Sequence, residues 1–120
     1  MKRIELKNEN YKEIYYWAAE ETKIEREYYY NSNRRCHRTD GPARILYNES
    51  GKIESEIYYI NGKKHRLNGP AEIWYYKSGE IMNEFYYING KSYSKKEFYK
   101  HQEVIKIKNI NRNLKLLNKK

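Results

Sequence analysis

The chain repeats itself, and that self-similarity restricts the fold more than any other property. HRTDGPARILYNESGKIESEIYYINGKK, starting at His37, aligns without a gap on HRLNGPAEIWYYKSGEIMNEFYYINGKS, starting at His65, an offset of 28 residues. Gly41 falls on Gly69, Pro42 on Pro70, Ile45 on Ile73, Gly51 on Gly79, Ile53 on Ile81, and Asn61-Gly62 on Asn89-Gly90. Upstream, IEREYYYNSNRRCHR from Ile24 repeats IESEIYYINGKKHR from Ile53 once one residue is inserted near Cys36. EIYYWAAEETK from Glu13 reads as an earlier, decayed half-unit that supplies a first strand and a longer loop. A period of this length marks small units that stack because none buries its apolar face alone.

Each unit reads as two strands joined by two kinds of turn. Asn61-Gly62 and Asn89-Gly90, flanked by β-branched and aromatic residues, are tight-hairpin signals, because both central residues of such a turn take positive φ. Ser50-Gly51 and Ser78-Gly79 mark the opposite turns. Alternating short turns predict an antiparallel meander. Alternation along the strands then groups Ala43, Ile45, Tyr47, Ile53, Ser55, Ile57, Tyr59, Ala71, Ile73, Tyr75, Ile81, Asn83, Phe85 and Tyr87 as the expected core face. The other face would carry Glu54, Glu56, Glu72 and Glu84 towards one strand end, with Tyr58, Trp74, Tyr76 and Tyr86 towards the other.

Composition suits a thin layer. At 120 residues the chain has the size of one domain, but only 38% is apolar and 34% is charged. Fifteen Tyr, two Trp and two Phe compensate, since each buries a large ring while a Tyr or Trp polar edge stays wet. A single sheet is expected rather than a sandwich. One cysteine, Cys36, excludes an internal disulfide and favours a reducing compartment. With no apolar run of membrane-span length and no signal-like start, the expected location is the cytoplasm.

The net charge of +9 is unevenly placed. Residues 1–90 hold 15 basic and 14 acidic side chains, whereas residues 91–120 hold 10 and 2. Any generic pull on polyanions therefore comes chiefly from the tail. There, Ser94-Lys95-Lys96-Glu97 has the capping-box pattern and predicts the start of a helix. Val104, Ile107, Ile110, Leu114 and Leu117 continue it as an apolar stripe, with Lys106, Lys108, Arg112 and Lys115 on the other side. The alternation over Ile105 to Lys108 leaves a short strand as the competing reading. Capping the open end of the array, lying on an anionic membrane surface and contacting nucleic acid are the three roles open to this helix, and capping is favoured because the stripe needs burial.

The HRTDGPA and HRLNGPA blocks, each followed by an aromatic strand, a Ser-Gly turn and YYINGK, resemble the divergent MORN-type repeat proteins abundant in giant viruses and some phages. The resemblance covers residues 13–101, and NGKSYSKKEF looks like that group's exit into a terminal helix. It implies a hairpin-repeat fold and an interaction module, with a viral setting and the host cytosol as location. The densely Gly-rich hairpin core of the standard motif is missing, so the lipid and scaffold roles of standard MORN proteins transfer weakly, and no catalytic residue carries over.

Candidate chemistry is sparse. Cys36, His37, Asp40 and His65 are the residues that suggest metal ligation or nucleophilic catalysis, but Cys36 and His37 are adjacent and would point to opposite faces of a strand. No catalytic residue, metal or cofactor is expected. His-Arg recurs at His37-Arg38 and His65-Arg66, and a residue needed in every copy normally serves the fold. On that reading His bonds the turn while Arg pairs with a carboxylate such as Glu54 or Glu56. On the functional reading Arg34, Arg35, His37 and Arg38, beside Lys63, Lys64, His65 and Arg66, form a basic ladder that engages phosphates. Tyr58, Trp74, Tyr76 and Tyr86 are the candidate partner-binding rings.

The expected architecture is thus a mainly β, antiparallel meander of tandem hairpin units over residues 1–93, divided at 13–23, 24–52, 53–80 and 81–93, followed by a basic capping helix and tail over 94–120. The expected function is a non-enzymatic protein–protein interaction or scaffold module that engages a protein partner or a second copy. The alternative is a binder of phosphate-rich ligands, RNA, DNA or a nucleotide signal, through the basic edge and tail; a membrane surface comes last.

Overall fold

Positive φ marks where the chain reverses. Asn61 and Gly62 stand at φ 49° and 83°, and Asn89 and Gly90 at 50° and 82°, the two consecutive left-handed residues that a tight hairpin requires. Gly51 and Gly79, at 84° and 92°, close the opposite turns, where any Cβ would be strained. In the computed structural model, which describes residues 1–18 and 21–118, these turns connect ten strands: β1 (Lys2–Glu5), β2 (Tyr11–Tyr16), β3 (Ile24–Tyr30), β4 (Arg44–Tyr47), β5 (Ile53–Ile57), β6 (Tyr59–Ile60), β7 (Lys63–Lys64), β8 (Glu72–Tyr75), β9 (Ile81–Ile88) and β10 (Lys91–Tyr93). A single helix, α1 (Lys95–Asn118), follows. Ala19 and Glu20 of the expected first loop, and Lys119 and Lys120 of the tail, lie outside the described residues.

Eight strands form one antiparallel sheet in the order β1-β2-β3-β4-β5-β8-β9-β10. The mainly β, largely sequential meander expected from the sequence is therefore present, with two differences. β1 is an additional strand paired to β2, in a segment without turn signals of the Asn-Gly kind. The limb returning from Asn61-Gly62 also stays paired for only two residues, in the separate β6-β7 ribbon. Residues 65–71 then lead the chain to β8, which pairs with β5. After β3 the corresponding return shrinks to one bridge, Tyr30 to Cys36.

Contacts recur at the sequence offset. Ala43 N–H donates to the Ile57 carbonyl and Ala71 N–H to that of Phe85, both at 2.9 Å. Gly62 N–H donates to the Cys36 carbonyl and Gly90 N–H to that of Lys64, both at 2.8 Å. β4 against β5 and β8 against β9 share one register, and each breaks it at the same place, Leu46/Tyr47 and Trp74/Tyr75.

That register overturns the expected face assignment. Residues directly opposite in an antiparallel pair share a face, and the pairing runs Ile14, Glu27, Ile45, Glu56, Ile73, Glu84 from β2 to β9. A second row, on the other face, runs Glu13, Tyr28, Arg44, Ile57, Glu72, Phe85. Ile45 and Ile57, grouped together by alternation, thus lie on opposite faces. Both faces bury apolar residues: Ile14, Ile45 and Ile73 on one, Ile57 on the other. The sheet stays a thin body, with a shortest extent of 22 Å for the whole chain.

Ser55 sits between Leu46 and Trp74 in the register, fully buried, with no partner for its hydroxyl. An unsatisfied buried hydroxyl costs free energy that a methyl group would not. Ser55→Ala is therefore expected to raise stability by about 1 kcal/mol in chemical denaturation; a loss of stability would show that the hydroxyl is satisfied in solution.

Candidate functional site

The loops over 37–43 and 65–71 are where the sequence concentrates its chemistry. His37 Nδ1 accepts the N–H of Asn61 at 3.0 Å, and His65 Nδ1 accepts that of Asn89 at 2.9 Å. Each imidazole thereby latches onto the next Asn-Gly turn and is held in the tautomer with its proton on Nε2. Arg38 Nε donates to Asp40 Oδ1 and its Nη1 to the Pro42 carbonyl, while its guanidinium lies 4.0 Å over the Tyr29 ring. Arg66 does the same to Asn68, the Pro70 carbonyl and the Tyr58 ring, again 4.0 Å away. The arginines thus pair within their own loops and not with Glu54 or Glu56; Glu56 instead accepts the Tyr75 hydroxyl. The acid or amide two residues beyond each Arg was the signal for this clamp.

The eight expected anion-binding residues separate into two groups. Arg38, Arg66 and both histidines are engaged as described. Lys64 is ion-paired to Glu72, which also accepts Trp74 Nε1. Burial would raise the Glu72 carboxyl, but those two bonds outweigh it and hold the group below the usual carboxylate range. Among the described residues, Arg34, Arg35 and Lys63 make no salt bridge. Arg35 lays its stem beside Gly62, and Lys63 lays its own beside Gly90, so these cations follow the row of turns along one edge.

Cys36 belongs to the same pattern. Arg44 Nε donates to its Sγ at 3.2 Å, and the residues 28 further on are the bonded pair Lys64 and Glu72. The thiol, buried at 7% exposure, therefore occupies the position that Lys64 occupies 28 residues later.

The four expected partner-binding rings do not form one surface. Trp74 lies in the row of Ser55 and Asn83, on the face opposite Tyr86, which shares the side of Glu84. Tyr58 is covered by Arg66, and Tyr86 is buried at 4% exposure against Phe98, ring centroids 4.8 Å apart. Tyr76 opens the turn closed on Glu80 and is exposed.

Several phenols are pushed above their ordinary range by burial first: Tyr30 to about 12, with Tyr47, Tyr59, Tyr75 and Tyr86 in the same direction. Hydrogen bonds to Glu56 and Glu84 add to the effect at Tyr75 and Tyr86. A raised folded value means that the associated stability is complete below about pH 10 and is lost as pH climbs through the folded values. Alkaline titration should therefore show tyrosinate absorbance rising steeply together with loss of the β circular dichroism signal; gradual ionisation of a folded chain would contradict this.

α1 begins as expected, Glu97 N–H donating to Ser94 Oγ at 3.1 Å, and stays helical through Ile105 to Lys108, where a strand had been the competing reading. Its attachment differs from the expected cap. Phe98 is fully buried, while Val104, Ile107, Ile110, Leu114 and Leu117 are 44% to 60% exposed. At 100° per residue Phe98 lies roughly 150° around the helix from the middle of that stripe, so the stripe points away from the side that docks. No helix among the described residues is long and apolar enough to cross a membrane. Comparisons with family models, with curated proteins and with solved structures gave no significant match.

Proposed function

We propose that the chain is a divergent MORN-type tandem of β-hairpin units serving as a non-enzymatic protein–protein interaction or scaffold module. The observation that carries this reading is the exposed aliphatic stripe of α1, held clear of the sheet by the buried Phe98. A contiguous apolar surface of this kind on a soluble chain marks a place of association. The recurrence of the His-Arg contacts at the 28-residue offset supports the tandem arrangement, because those residues serve the turns of each copy.

A phosphate-rich ligand is the second reading, favoured by the edge row of Arg34, Arg35 and Lys63 and by the basic helix. Affinity capture on the immobilised chain, with and without nuclease and at low and high salt, separates the two. Protein retained at high salt after nuclease treatment supports the module. Retention of nucleic acid alone, released steeply by salt, would overturn it in favour of the polyanion reading.

A further inference from the structure

We infer that the aliphatic stripe of α1 pairs, antiparallel, with the same stripe of a second copy of this chain. This deepens the interaction reading above and rests on it. Ile107, Ile110, Leu114 and Leu117 are spaced 3, 4 and 3, the spacing of a two-heptad coiled-coil seam. Read outward from Arg112, the spacing is a palindrome, so reversing one helix sets Ile107 opposite Leu117 and Ile110 opposite Leu114. Arg112 itself points away from the seam.

Charge selects this occupant. A helix as basic as α1 would repel its copy if its cations bordered the contact. The positions beside the seam are instead Asn111, Asn113, Asn118 and Lys106, whereas Lys108, Arg112 and Lys115 lie on the far side. An acidic partner would be met better by lysines at those borders. A flat anionic membrane suits the helix poorly, since Ile105 and Leu116 form a second apolar line on the Phe98 side. Orientation follows from Lys95, Lys96 and Lys100. Antiparallel pairing centred on Arg112 separates the two copies of Lys100 by about 36 Å, well beyond the Debye length of about 8 Å. It also opposes the helix dipoles.

The contact spans about 15 Å of helix, which places it below the roughly 1,200 Å² of a standard interface. The dimer is accordingly weak and concentration-dependent. Sedimentation velocity of the purified full chain, from about 1 μM to about 1 mM, should show a monomer–dimer equilibrium that persists at high salt. Ile110→Asp with Leu114→Asp should weaken it at least about tenfold with helical content retained. Leu116→Asp, on the other side, should leave it unchanged. Spin labels at K100C, in a Cys36→Ser background, should report a separation of about 36 Å.

A chain that stays monomeric throughout overturns the proposal, as does a dimer indifferent to the stripe variant, and a short label distance overturns the antiparallel arrangement. Monomeric chain that floats with phosphatidylserine vesicles would also sink it and assign the stripe to a membrane. A monomer that still captures other proteins after nuclease treatment leaves the interaction reading standing without the dimer.

Discussion

Arg66→Ala is expected to destabilise the chain by about 3 kcal/mol, and Arg66→Lys by about 2 kcal/mol. The guanidinium ties the loop together in three ways, bonding Asn68 and the Pro70 carbonyl, each at 3.1 Å, and lying on the Tyr58 ring. A charge-assisted bond is worth about 1.5 kcal/mol or more, and the cation–ring contact adds up to about 1. Lysine keeps the charge but not the planar fork, so it cannot reach both acceptors and stack.

The same clamp explains a glycine whose backbone angles do not require one. A Cβ built on Gly69 would stand 3.2 Å from Arg66 Nη1, and one on Gly41 would stand 3.0 Å from Arg38 Cζ. Gly69→Val should therefore destabilise in the wild type, yet less on an Arg66→Ala background, where the space is empty. Denaturant midpoints of the four chains measure this coupling; strict additivity would show that Gly69 is needed for some other reason.

Phe98→Ala should release α1 from the sheet at a local cost of about 3 kcal/mol. Phe98 is the largest fully buried side chain and contacts both Tyr86 and Tyr99, with ring centroids 4.8 and 5.2 Å away. Tyr99 against Tyr86 and His101 against Tyr93 are the other ring contacts of α1 with the strands, both from exposed side chains, so loss of the buried Phe98 ring should free the helix while the strands stay paired. Hydrogen exchange ought to accelerate over residues 95–105 with β4, β5 and β8 unchanged, and limited proteolysis should cut first within the helix. The Tyr86 phenol, held high chiefly by burial, should also ionise nearer its ordinary pH. Uniform acceleration throughout the sheet would mean that the helix holds the strands together.

The Asn-Gly and Ser-Gly turns and the start of α1 were legible in the sequence because their chemistry is local, whereas β1 carried no such signal. Asn-Gly and Ser-Gly need positive φ at particular residues, and Ser94 caps a helix with its own side chain; neither depends on distant partners. Faces were not legible. Alternation tells which residues of one strand go together, but the relation between strands depends on register, and the irregularities at Leu46/Tyr47 and Trp74/Tyr75 shift it. Ile45 consequently meets Glu56 rather than Ile57. Trp74 was separated from Tyr86 for the same reason. The basic ladder is divided for a different reason: counting cations does not show which of them a loop engages, and Arg38 and Arg66 are bonded within their own loops.

The helix stripe was visible as a stripe, yet its direction was not. That depended on Phe98, whose place on the wheel matters only once it is known to be the residue that docks.

Whether the two 28-residue blocks fold as the same latch is best tested on the latch atoms. Nitrogen-15 spectra of the imidazoles, taken with hydrogen exchange of the Asn61 and Asn89 amides, should find both His37 and His65 protonated on Nε2 and both amides protected. Different tautomers at the two histidines, or rapid exchange at either amide, would show that the blocks share letters without sharing a structure.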